Sequence, residues 1–373
     1  MRARTLLPIL ALSGCMNLDS FFFERNQVTS LTDYHDLPVY QGDSPPDWIA
    51  AEAVERSLYL EVPSGDVLAS DTPPESGEYI HAVFLPAPTT CPVEDCPLIG
   101  RDITFLYQHG NSGDLWRYWY RAVNLWSMGA NVLIYTWRGY GLSGSEPTRA
   151  HVLEDADGAM AYLLTRPEVD PERVVAYGYS TGAIPSSWLV GPSEHRDDFA
   201  AVIFESGLDA IDSVMSEGTA TDWPTGFFFE DTLFDGPTFL EDADPALPVL
   251  FAWGGQDTRV LREQVQRYHD VLQGFDDYTE RFGETGDPVD RWLAESGHRN
   301  IPDHAFGAEN HIADYYDDAA NPGHCCVHPL EYEDAANADF LAEVGGTTGE
   351  EMAESWRDYR ALISGWCRDR FPE

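Results

Sequence analysis

Eight runs of apolar and β-branched residues, each closed by turn-forming residues, are the feature that most narrows what this chain can fold into. They are "SLYLEV" (57–62), "EYIHAVFL" (78–85), "DITFLYQ" (102–108), "NVLIYTW" (131–137), "RVVAYGY" (173–179), "AAVIFES" (200–206), "PVLFAWG" (248–254) and, less sharply, "VDRWLAES" (289–296). From the third run onward, helix-compatible stretches fall between most of them, at 114–128, 151–165, 181–190 and 259–273. Continuously apolar runs are strands buried on both faces, so the pattern predicts a mostly parallel sheet held between helical layers. The first two runs have no helix between them and predict an antiparallel hairpin at one edge. The expected fold class is α/β, with an eight-stranded sheet and helices on both faces. A chain of 373 residues that is 43% hydrophobic can fill such a core.

Two segments break the rhythm. Residues 207–247, which contain "DWPTGFFFEDTLF", are expected to pack as a small helical cap. Residues 299–349, with four histidines and "HCCVH", form a second insertion ahead of a C-terminal helix at 350–373. Residues 15–55 are polar, proline-bearing and weakly periodic, which suits a tether and lead-in to a domain running from 56 to 373.

Charge excludes one class of partner. The chain carries 22 basic residues, all arginine, against 64 acidic ones, for a formal net charge of −42. Such a chain repels a phosphate backbone, so no nucleic-acid partner is expected. The acidic, lysine-free surface reads as a solubility feature.

"VVAYGYSTGAIPSS" (174–187) holds Gly178-Tyr179-Ser180-Thr181-Gly182. A G-x-S-x-G match alone decides little, so its context has to carry the weight. A nucleophilic serine on such a turn needs a strand running straight into a helix, with small neighbours that let the two approach. "RVVAY" supplies the strand and "TGAIPSSWLV" the helix, with Pro185 near the end of its first turn as the one irregularity. Upstream, "FLYQHGNSGD" leaves the third strand at His109-Gly110, where the Asn111 amide can join that of Thr181 in facing a developing oxyanion. Downstream, Asp257 follows one apolar run and His298 the next, in the chain order Ser, Asp, His. Asp209, after "AAVIFES", is a rival for the acid. His304 and His311 are rivals for the base that lack a strand-then-turn setting.

"HGN", "YTWRGYGLSG", "GYSTG", "PVLFAWGGQD" and "SGH", in that order, make residues 56–300 resemble the α/β-hydrolase fold serine hydrolases. "WRGYGLSGSEP" is similar to the depalmitoylase-like and peptidase-like single-domain group with a small cap. The resemblance implies a triad of Ser180, His298 and Asp257. His298 takes the serine proton and later protonates the leaving group, and Asp257 holds its tautomer. It implies an oxyanion hole of the Asn111 and Thr181 amides, an acyl-enzyme resolved by water, and no cofactor. The expected activity is ester or thioester hydrolysis, with a small-molecule or acyl substrate. A peptidase or amidase of the same fold is the first alternative, and a catalytically idle binding protein that retains the fold is the second.

Around the triad, Arg138 and Tyr140 are expected to shape a turn beside the site and to border a substrate pocket. Trp223 and Phe227, Phe228 and Phe229 either line an acyl pocket or form the core of the cap. His109 is expected to be a structural member of the oxyanion loop. His304, His311, His324, Cys325, Cys326 and His328 lack the two spaced ligand pairs of a structural zinc site, so no metal is expected.

The N-terminus places Arg2 and Arg4 ahead of a short apolar run and ends in Leu12-Ser13-Gly14-Cys15. It resembles a bacterial lipoprotein signal peptide (1–14), which implies a lipidated Cys15 and an extracytoplasmic domain whose contact with the membrane is that anchor. In an oxidising compartment Cys91 and Cys96 are expected to close a small loop, and Cys325 or Cys326 to bridge to Cys367.

Overall fold

The computed structural model describes residues 23, 26–27, 57–68, 73–74, 77–88, 102–111, 114–115, 118–211, 213, 234–254, 257, 259–282 and 349–371. Its strands are β1 (Ser57–Glu61), β2 (Tyr79–Leu85), β3 (Thr104–Gln108), β4 (Asn131–Thr136), β5 (Val174–Tyr179), β6 (Ala201–Glu205), β7 (Val249–Trp253) and β8 (Tyr278–Phe282). They form a single sheet in the order β1-β2-β4-β3-β5-β6-β7-β8. β2 is antiparallel to both β1 and β4, and every later pairing is parallel. The helices are α1 (Trp119–Ser127), α2 (Arg149–Leu163), α3 (Ala183–Val190), the short α4 (Gly236–Leu240), α5 (Arg262–Leu272) and α6 (Gly349–Arg370).

Alternation along each strand divides the interior in two. Leu106, Leu133, Ala176, Phe204 and Phe251 pack under α2, α3, α4 and α5. Their strand neighbours Phe105, Ile134, Val175, Ile203 and Leu250 pack under α1 and α6. Each of these side chains larger than alanine, fully buried, contributes about 1.5–3 kcal/mol of transfer free energy. Pro185 falls at the third position of α3, inside the first turn, where a helix amide has no intrahelical acceptor to lose.

Three expectations need correction. Among the described residues the eighth strand is Tyr278–Phe282, which the sequence pattern did not foresee, and the expected run 289–296 lies outside them. The strand carries the aromatic and β-branched residues Tyr278, Thr279 and Phe282, but the adjacent charges Glu280 and Arg281 interrupt them and hid it; among the described residues its one neighbour is β7. The lead-in is more than a tether. Phe23 is 2% exposed and packs edge-on against Trp137 and Phe234, while Asn26–Gln27 pairs in parallel with Tyr140–Gly141. Finally, Cys367 is a free thiol, sealed in the α1/α6 cluster, and burial pushes its pKa up to about 12. A side chain facing that core is not available to a surface bridge. Cys15, Cys91, Cys96, Cys325 and Cys326 lie outside the described residues.

Candidate active site

Ser180 stands where β5 ends and a short 3-10 turn, Ser180–Gly182, leads into α3. Its φ is +52°, a left-handed conformation that costs a non-glycine residue about 1–3 kcal/mol and persists only where the surroundings impose it. The two glycines of the motif explain how they do so. A Cβ on Gly178 would come within 2.6 Å of Ala183 Cα, and one on Gly182 would overlap the Gln108 carbonyl at the end of β3. Only glycine at both positions lets α3 fall back against β5 and β3, and that close return forces the serine outward. The Ser180 carbonyl accepts the Leu208 amide (3.0 Å) from the loop after β6.

The loop after β3 lies directly against the serine. A Cβ on Gly110 would sit 3.3 Å from Ser180 Cβ and 3.1 Å from Tyr118 Oη. His109 is completely buried, with its ring stacked on Trp137 (4.3 Å between centroids) and Tyr118 (5.2 Å). Burial pushes its pKa down to about 4, so it is neutral near pH 7, and Nδ1–H donates to the Gly110 carbonyl at 2.6 Å. That is the loop-holding role expected of it. Asn111 Oδ1 accepts from Tyr140 Oη (3.2 Å). Thr181, 2% exposed, opens the turn into α3, where amides point out of the helix toward incoming negative charge.

Asp257 follows β7 on the same carboxyl edge of the sheet and is 7% exposed. Its Oδ1 accepts the amides of Arg259 and Val260, both at 2.9 Å, which fixes the carboxylate plane. The rival acid, Asp209, is engaged elsewhere. It accepts the Ala210 amide, Ser213 Oγ and Arg267 Nη1 (2.7 Å), and Arg267 also reaches Asp235 (2.5 Å). With the Ala210–Asp235 bridge, this clamp closes the stem of the 207–247 insertion. Burial raises the Asp209 pKa in spite of Arg267.

Two expected pocket residues have other work. Arg138 is 2% exposed and gives its donors to Asp155 (Nε, 2.5 Å), Glu154 (Nη2, 2.7 Å), Glu78 (Nη1) and the His151 carbonyl. A guanidinium engaged on three carboxylates holds the turn after β4, as expected of it. Tyr140 is wholly buried, edge-on to Trp137 and His109, and braces Asn111 from behind. His298, Trp223, Phe227, Phe228 and Phe229 lie outside the described residues, as do His304, His311, His324 and His328. Among the described residues no group of three His, Cys, Asp or Glu is placed to hold a metal.

Sequence reasoning missed Tyr118, Trp137 and Leu208, which act through packing and a main-chain amide and leave no motif. It also passed over Glu205, though an acid closing the otherwise apolar run "AAVIFE" was a readable signal.

A mostly parallel eight-stranded sheet with a strained serine between strand and helix, and loops gathered at its carboxyl edge, is the architecture of an α/β hydrolase. The sequence profile of the prolyl oligopeptidase family matches residues 121–321, more than half of the 373, and the chain belongs to that family. The uncharacterized protein YfhR of Escherichia coli K12 is 25% identical over 183 residues, 49% of this chain and 60% of that protein. The α/β hydrolase domain-containing protein aho-3 of Caenorhabditis elegans is 28% identical over 210 residues, 56% of each chain. The matched part thus spans less than two thirds of either relative. Among solved structures, an α/β hydrolase from Vibrio vulnificus overlaps 69% of this chain and 88% of its own, at 17% identity and a TM-score of 0.47. An esterase of Pyrococcus furiosus overlaps 60% and 80%, at 19% identity and a TM-score of 0.42.

Proposed function

We propose that the chain is a serine hydrolase that cleaves a carboxylic ester or thioester through an acyl-enzyme on Ser180. The observation that carries this reading is the left-handed Ser180 between β5 and α3, pressed against Gly110 of the preceding loop. Strands β5 and β7 are two apart, about 10 Å at ordinary strand spacing, a gap that a serine, an imidazole and an aspartate together span. In the proposed reaction His298 takes the Ser180 proton as Oγ attacks the acyl carbon, and Asp257 stabilises the imidazolium. The amides of Asn111 and Thr181 receive the oxyanion. Collapse expels the leaving group with the proton from His298, and water, deprotonated by the same histidine, releases the acid and frees Ser180.

The test is labelling with a fluorophosphonate followed by turnover of p-nitrophenyl esters of increasing chain length. Wild type should label and turn over, and Ser180→Ala should do neither. A wild type that takes no label and cleaves no ester overturns the reading and favours a binding protein that keeps the fold. The prolyl oligopeptidase family match favours a second reading, a peptidase or amidase using the same serine. Faster turnover of peptidyl p-nitroanilides than of any ester, lost in Ser180→Ala, decides for it.

We extend the reading to location. Lipidation of Cys15 would anchor an extracytoplasmic domain, and seven residues separate Cys15 from the docked Phe23, a span of about 28 Å at full extension. Phe23 packs at the carboxyl edge of the sheet, so this short reach would hold the active edge on the membrane side. Loss of membrane retention in Cys15→Ala is the expected result; unchanged retention rejects the anchor.

A further inference from the structure

Beneath the serine lies a second buried charge that the hydrolytic reading does not use. Glu205 ends β6 and stands in register opposite Tyr179, the residue before Ser180. It is 1% exposed, and each of its oxygens has partners. Oε1 is paired with Arg121 Nη1, from the first turn of α1. Tyr177 Oη donates to Oε2 (2.6 Å), and Tyr359 Oη, 3.2 Å from Oε2, gives its one proton either to that oxygen or to Tyr177 Oη beside it. Tyr359 belongs to α6 and lies 154 residues after Glu205, beyond the end of the family match at 321.

The cluster touches both halves of the proposed site. The Arg121 guanidinium carbon lies 4.0 Å over the centre of the Tyr179 ring, a cation–π contact gripping the strand end from which Ser180 projects. Arg121 is also tied to the oxyanion loop, because its amide donates to the Tyr118 carbonyl (3.0 Å) and Tyr118 stacks on His109. The loop leaving Glu205 grips the serine from the other side. Ser206, wholly buried, has φ +46°, and two residues on the Leu208 amide binds the Ser180 carbonyl. Two serines in left-handed conformations at adjacent strand ends are held by one connected set of contacts. A charged pair is an expensive way to fill a core, and its best-attested use is to specify one arrangement over its neighbours.

We propose that Glu205, completed by Tyr359 of the C-terminal helix, is a positioning residue that aligns the Ser180 strand end with the oxyanion loop. The inference rests on Ser180 being the nucleophile. Phenol removal is the gentlest probe, since Tyr359→Phe and Tyr177→Phe keep the rings and the Arg121–Glu205 pair. Each variant is assayed where circular dichroism shows it folded, for the rate of fluorophosphonate labelling and for kcat and KM on a p-nitrophenyl ester. Tyr359→Phe should lower the labelling rate and kcat together by about tenfold, as a small misplacement of reacting groups does, with KM little changed. Tyr177→Phe should act in the same direction and decides the matter if Tyr359→Phe does not fold. Ile363→Val, which trims the packing of the same helix, should leave kcat at the wild-type value. Folded phenol variants that label and turn over within about twofold of wild type overturn the proposal while leaving the nucleophile in place. A rise in KM alone in those variants also overturns it, as does an Ile363→Val that lowers kcat as much as they do. A wild type that takes no label overturns the nucleophile, and this proposal with it.

Discussion

Arg121 and Arg138 are each 2% exposed, yet they sit in opposite electrostatic settings. Arg121 is paired with the carboxylate of Glu205, as buried as itself, whose other oxygen lies against two phenols. Arg138 meets three carboxylates: Asp155 has no exposure, while Glu154 and Glu78 are about half in water, at 48% and 52%. The first cluster is sealed from solvent and lies under the candidate nucleophile. The second is over-supplied with negative charge, open to solvent, and holds a turn. A sealed pair has no way to relax when one partner is lost, whereas an open cluster can take up water or a proton.

The largest effect is therefore expected at Arg121. Arg121→Met leaves Glu205 buried without its counter-charge and should cost about 3–5 kcal/mol in urea unfolding. Arg138→Met should cost less, about 1–3 kcal/mol at pH 7.5, because Glu154 and Glu78 return to solvent and Asp155 can protonate. Equal losses in the two variants would break the comparison.

The pH dependence sharpens it. Burial holds the Asp155 carboxyl up at about 6, against an ordinary value of 3.8, in spite of the neighbouring Arg138. Since the folded chain binds this proton more tightly than the unfolded one, the stabilising contribution is present below about pH 4 and lost as pH rises through about 6. Asp155→Asn, which cannot ionise, should gain stability relative to wild type as pH is raised from 4 to 7, measured as a difference in melting temperature. For the same reason the Arg138→Met penalty should be smaller at pH 5 than at pH 7.5. A difference that is flat with pH would show that Asp155 stays ionised throughout.

A second pH effect, of opposite sign, comes from neutral buried histidine. Burial pushes His81 down to about 3, from an ordinary value of 6.5. The unfolded chain then binds the extra proton, so the stability linked to His81 is complete above about pH 6.5 and lost as pH falls from there. His81→Gln should make the loss of unfolding free energy between pH 6.5 and 4.5 shallower by about one proton. An unchanged slope would place that sensitivity elsewhere.

Much of the frame was legible in the chain. Seven of the eight expected strands lie within a residue or two of their runs, because a strand buried on both faces needs an unbroken apolar stretch. The eighth expected run lies outside the described residues, and the strand at Tyr278–Phe282 escaped notice because, at the sheet edge, "YTERF" needs no unbroken apolar stretch. The elbow at Ser180 was equally visible, since only glycine permits the approaches at 178 and 182 and local sequence has to declare it. The turn that Arg138 and Tyr140 shape was foreseen, but the partners that hold it were not. Each lies in a motif suggestive of a site, and each proves to spend its polar atoms on neighbours 13 to 60 residues away.

What the sequence determined by itself is therefore whatever depends on period and on glycine: the layered sheet, its antiparallel edge and the strained serine. Tertiary structure alone decided which charges face one another. Glu205 finds Tyr359 across 154 residues and Arg121 across 84, and Phe23 leaves the polar lead-in to pack on Trp137. Such pairings leave no periodic trace, because ion pairs and ring contacts depend on distance in space, and the fold sets that distance only after the strands have been ordered.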